Sequence, residues 1–144
     1  SSAVAGQRYF VGWLGVTTAI ATTQDPAALT NAIGVGNAAA DANLQVLHND
    51  AAGTCTKIDL GALFPVPSSV NNAIYEAVFF AEPNALTVGY RVTRLDTGDV
   101  VSGTLSTDLP ATTTFLAPHF YMNNNAVVAA VVLDFYRFYT ETDY

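Results

Sequence analysis

Apolar and polar residues alternate along much of this chain with a period of two, the mark of strands that cover one face. Residues 8–14 are aromatic and β-branched and predict a first strand, with Gly12 set where a strand bends or another backbone comes close. Asp25 before Pro26 predicts a capped helix start and Gly34 a stop, so one short helix is expected near residues 26–33. Leu44, Val46 and His48 then alternate with Gln45, Leu47 and Asn49; turn formers follow, and residues 54–60 resume the pattern as the second arm of a hairpin. Residues 61–72, with Pro65 and Pro67, read as a loop crossing the edge of a sandwich. Residues 74–81 are apolar on both faces except at Glu76, which predicts a central strand covered on each side.

The cleanest alternation lies at 86–94, where Val88, Tyr90 and Val92 point inward and Thr87, Arg91 and Thr93 outward. A tight turn at 96–99 leads into a partner strand over 100–107. Residues 112–122 and 127–140 predict two more strands about an Asn123-Asn124-Asn125 turn, a place where asparagine readily takes positive φ. Short strands with brief connections and almost no helix imply an all-β chain with antiparallel neighbours, a sandwich or a barrel, and the expected fold is a two-sheet antiparallel β-sandwich. No internal repeat supports a propeller or solenoid.

At 144 residues, with about half of them hydrophobic, the chain fits one domain over residues 1–144. Residues 1–6 are mostly small and read as a tether, and a start at Ser1-Ser2 without Met leads us to expect a processed chain or the C-terminal part of a longer one. Only 12% of residues are charged, so much of the surface is small and neutral or is covered by other chains, which favours an oligomer. A net charge of −7 without a basic stripe argues against nucleic acid and anionic lipid as partners. The longest apolar run, 126–133, is too short for a membrane helix.

Candidate chemistry is sparse. Cys55 stands alone and reads as a small core hydrophobe. The only histidines are His48 and His119, no Gly-x-Ser-x-Gly elbow is present, and both rings read as hydrogen-bonded structural groups. Glu76 and Asp134 are the carboxylates considered for glycoside cleavage, but nothing in the sequence pairs them. Asp41, Asn43, Asn49 and Asp50 offer oxygens for calcium without an EF-hand spacing, and turn and cap hydrogen bonds account for them. Gly34-Val35-Gly36-Asn37 lacks the lysine and crossover of a phosphate loop. We therefore expect no catalytic residues, no metal and no cofactor. The remaining resource is aromatic: Trp13, Tyr121 and Tyr136, with Asn123, Asn124 and Asn125 as polar partners, form a candidate sugar-binding set, against the alternative that these rings fill a core or an interface.

The run from Asn43 to Gly61 (NLQVLHNDAAGTCTKIDLG) with Phe64-Pro65, then Tyr90-Arg91-Val92, Leu95 to Asp99, Thr113 to His119 and the ending Tyr139 to Tyr144, resembles C-terminal domains of tailed-bacteriophage appendage proteins over nearly the whole chain. That resemblance implies a concanavalin-like jelly roll on a trimeric tail fibre, tailspike or head fibre of the virion. It further implies a receptor-binding role toward host-surface polysaccharide, with itself and other virion proteins as partners. A structural decoration or fibre-capping module is the alternative, and a glycan-acting hydrolase a more remote one.

Overall fold

The computed structural model describes residues 6–68, 70–125, 127–128 and 130–141. Among these described residues, eight strands are built from the alternating runs: β1 (Arg8–Leu14), β2 (Ala32–Asn37), β3 (Gln45–Asn49), β4 (Thr56–Asp59), β5 (Tyr75–Phe80), β6 (Val88–Arg94), β7 (Val100–Leu105) and β8 (Ala117–Asn123). They form two antiparallel sheets, ordered β4-β3-β2-β1-β8 and β5-β6-β7. The expected β-sandwich is present, and sheet neighbours are consecutive in sequence except β1 and β8. Of the sequence-distant pairings a jelly-roll winding brings together, β1–β8 is the one found among the described residues.

The core between the sheets is a layer of alternate side chains. Tyr9, Val35, Leu44 and Val46 come from the larger sheet and its edge, and meet Tyr90, Val92 and Leu105 from the smaller. Val92 and Tyr90 thus point inward as the alternation requires, while Arg91 between them is exposed. The five-stranded sheet is also covered on its other side, where Phe10, Leu14, Leu29, Ala32, Leu47 and Cys55 form a second, smaller cluster.

The covering segment explains the fate of the expected helix. Asp25 Oδ1 accepts the Ala27 N–H at 3.0 Å and Pro26 opens a helical turn, but only a single 3-10 turn forms, Pro26–Ala28. Leu29 is drawn into the second cluster and Asn31 turns the chain at φ +48°, so residues 32–37 become β2. Gly34 is therefore no helix stop. It is a mid-strand residue facing Gly12 on one side and Leu47 on the other, and its missing side chain makes room for the Phe10 ring.

Two strand expectations need correction. Residues 74–81 do not form a central strand: β5 is an edge of the smaller sheet, its exposure alternates, and Val78 and Phe80 lie open on the outer face. Apolar residues on both faces reflected that open face, not a covering layer. Residues 127–140 do not form a strand among the described residues. The Asn turn is there, with Asn125 at φ +53°, but the later segment lies against the sandwich, where Leu133 packs on the main core and Phe135 and Phe138 meet Phe120. Over 131–136 the period of two reports one covered face without backbone pairing, and it ends at Phe138, which packs on Trp13 and Phe120 from the other parity. Likewise, the strand expected over 112–122 begins only at Ala117. The expected tether at 1–6 falls outside the described residues except for Gly6, as does the end of the acidic tail, 142–144.

Candidate functional site

The six residues proposed for ligand contact are not brought to one surface. Trp13 and Tyr121 lie on opposite faces of the larger sheet: β1 and β8 pair with Trp13 opposite Pro118 and Tyr121 opposite Phe10, and adjacent residues on a strand alternate faces. Trp13 is half-buried on the inner side, edge-on to Phe79 at 5.8 Å and tilted against Phe138 at 5.8 Å. Tyr121 packs on Phe10 in the second cluster, its hydroxyl buried without a partner among the described residues. Burial, with the charges of Asp25 and Cys55 adding, pushes that hydroxyl's pKa well up.

The asparagines are spent on the turn. Asn123 is buried, donates to the Gln24 carbonyl at 2.9 Å and accepts the Asn125 N–H at 3.1 Å, while Asn124 donates to the Val127 carbonyl. Asn125 is exposed. Tyr136 is fully exposed on the C-terminal segment. Of the proposed stacking rings it alone stands free for a ligand.

Trp13 does line something: an open recess of about 170 Å³ at one end of the sandwich, walled by Ile33, Phe79, Phe80, Val88 and Leu116. Among the described residues its walls offer apolar contact and no carboxylate, imidazole or ammonium. Next to Leu116, Phe115 projects into solvent at 93% exposure. Such a surface suits an apolar partner better than a hydroxyl-rich one.

Both histidines sit against backbone carbonyls. His48 Nδ1 lies 3.0 Å from the Asp108 carbonyl, and His119 Nε2 lies 2.6 Å from that of Val16. Glu76 sits exposed on the outer face of β5 and Asp134 on the C-terminal segment, and no contact joins them. Asp41 accepts the Ala38 N–H and Lys57 Nζ, Asn43 donates to Asp59, Asn49 donates to the buried Leu29 carbonyl, and Asp50 accepts the Ala52 N–H. These four residues stand at opposite ends of β3, and among the described residues no cluster of three His, Cys, Asp or Glu is suited to a metal. Cys55 donates to the Pro26 and Leu29 carbonyls at 3.3 Å, and burial raises its thiol to about 11.

Sequence reading missed one polar junction. Asp108, at φ +53°, accepts the Asp50 N–H on Oδ1 and both the Thr56 N–H and hydroxyl on Oδ2, while its own carbonyl meets His48. Partial burial works against the carboxylate, but the Thr56 and Asp50 donors and the nearby His48 outweigh it and hold its pKa below 3.8. The junction ties the β7–β8 connection to the β3–β4 hairpin. Its signal in the sequence was Asp108-Leu109-Pro110, a turn-prone triplet with no visible partner.

Comparisons with family models, with curated proteins and with solved structures find no match. The functional reading therefore rests on the surface.

Proposed function

We propose that this chain is an assembly module of a tailed-phage appendage, a self-associating, trimeric sandwich whose apolar surface is buried between copies and against other virion proteins. The carrying observation is that surface: Val128 and Tyr136 are fully exposed, Phe115, Val70 and Leu86 nearly so, and Phe80, Leu63 and Tyr139 more than half. Single exposed apolar residues are ordinary, but this many on a chain with 12% charged residues is the composition of an interface. The resemblance of residues 43–61 and of the later matching runs supplies the phage setting. Sedimentation velocity over a concentration series tests it. The expected mass is that of a trimer of 15.2 kDa chains, and a single-chain mass at every concentration would overturn the reading.

Receptor recognition is the second reading, favoured by one observation, the free ring of Tyr136. Repeated on a trimer, one weak stacking site becomes firm attachment to a host polysaccharide. Glycan-array and whole-cell binding of the wild type and of Tyr136→Ala test it. A stable trimer without affinity for either leaves the structural role alone.

A further inference from the structure

The C-terminal segment combines a strand-like sequence with an unused backbone. Val131, Leu133 and Phe135 fall on one side, half-covered or in ring contact, and Val132, Asp134 and Tyr136 fall on the other, exposed. Valine, phenylalanine and tyrosine make this one of the most strand-prone stretches of the chain. Yet across 130–141 no backbone N–H or carbonyl is paired with another backbone group among the described residues.

An edge suited to receive it exists on the same molecule. The sheets end in four edge strands, β4, β8, β5 and β7. Natural edges are protected by charge and proline. β4 carries Lys57 and Asp59, β5 carries Glu76, and β8 carries Pro118; β7, Val-Val-Ser-Gly-Thr-Leu, carries neither charge nor proline. The Arg94 N–H bonds the Asp99 carbonyl at 2.8 Å, and antiparallel pairs alternate from there. Val100, Ser102 and Thr104 therefore aim their N–H and C=O groups away from β6. No described residue meets those groups.

We infer that residues 130–141 of one chain add as a strand to β7 of a second copy. This rests on the assembly reading above and names the element that performs it. Taking about 200 Å² per aromatic side chain, the exposed fractions of Phe135, Tyr136, Phe138 and Tyr139 amount to on the order of 500 Å², a large part of the roughly 800 Å² that a stable interface buries per partner. Donor segment and acceptor edge are different surfaces, so a contact made once per pair of chains is head-to-tail and builds a ring where its rotation closes; a trimer is a small ring of that kind.

The test uses the full chain in sedimentation velocity and hydrogen-exchange mass spectrometry. Ser102→Pro removes an outward N–H of β7 while leaving the β6 ladder intact. A double variant, Asp134→Pro with Arg137→Pro, places proline at one even and one odd position of the donor, so one of them meets the acceptor whatever the register. Either variant should weaken association by about tenfold or more. In the wild-type oligomer the amides of 130–141 should exchange at least about tenfold more slowly than after dilution to single chains. If Ser102→Pro fails to fold by circular dichroism, the donor variant carries the test, since its backbone belongs to no ladder within the chain. An oligomer whose 130–141 amides exchange freely, or which ignores the donor prolines, overturns strand addition and leaves assembly standing. Protection that persists in single chains means the segment pairs within its own molecule and also overturns it. Single chains throughout overturn both readings.

Discussion

Replacing Gly34 by alanine tests the close approach on which the doubly covered sheet depends. In a strand interior alanine is ordinarily the better residue by roughly 0.5–1 kcal/mol, because glycine loses more freedom on folding. Here the sign should reverse. A Cβ at position 34 would stand 2.4 Å from the Val11 carbonyl oxygen, 2.8 Å from Phe10 Cζ and 2.9 Å from Gly12 Cα. Two of these are backbone atoms of the paired strand, and Phe10 is fully buried, so none can yield cheaply. Overpacking of this kind costs about 1–3 kcal/mol. For a domain this size each kcal/mol moves Tm by about 2–4 °C, so a drop of about 2–12 °C is expected. Gly89 is the control: its added Cβ would also come within 3 Å of a neighbour, but the three nearest atoms all belong to the Phe80 ring, which is 63% exposed and free to swing away. Gly89→Ala should stay within about 0.5 kcal/mol of wild type. Thermal and urea unfolding followed by circular dichroism measure both. Gly34→Ala as stable as wild type, or Gly89→Ala equally damaged, would refute the packing argument.

Three further outcomes follow from the polar groups. Asp108→Ala should cost about 1–2 kcal/mol in urea unfolding, through loss of the Thr56 and Asp50 bonds at a partly solvated site. Because the folded pKa of Asp108 is depressed, its charge stabilises the fold above the ordinary value of 3.8, and that contribution disappears as pH falls below it. Asp108→Asn should therefore flatten the acid limb of stability against pH; Asp59 and Asp96, also held low, keep part of that limb in place. Cys55, with its thiol raised to about 11 and covered by the Pro26–Leu29 segment, should react with a thiol reagent at pH 8 only as fast as that segment opens. Labelling as rapid as for a free thiol would show that the second cluster is open. Asn49→Ala should destabilise by about 1–3 kcal/mol, since it leaves the Leu29 carbonyl only the weak Cys55 thiol donor at 3.3 Å in place of the amide at 2.7 Å; a neutral result would mean that the thiol suffices.

Much of the architecture was legible in local patterns. The alternation at 88–94 placed Val88, Tyr90 and Val92 inward, and the turn residues at 96–99 placed β7 beside β6, because side-chain period and hairpin chemistry are properties of a few adjacent residues. The same holds for β1 and for the β3–β4 hairpin. The candidate site was less legible. Trp13 and Tyr121 have the same chemistry in the sequence, but strand parity on β1 and β8 sends them to opposite faces, and only the pairing of those strands across a hundred residues settles which faces are covered.

The sequence by itself determined that the chain is made of strands, where most of them turn, and which side of each is apolar. The tertiary structure decided the rest: that Gly34 lies under Phe10 within a strand and ends no helix, that β5 is an edge, that Asp108 knots two loops, and that 130–141, with a strand's pattern, has no strand partner among the described residues. Period and turn chemistry act between near neighbours and leave their mark on the sequence. Pairing and coverage join residues far apart in the chain, so the same alternation serves a strand held in a ladder and a segment outside any ladder.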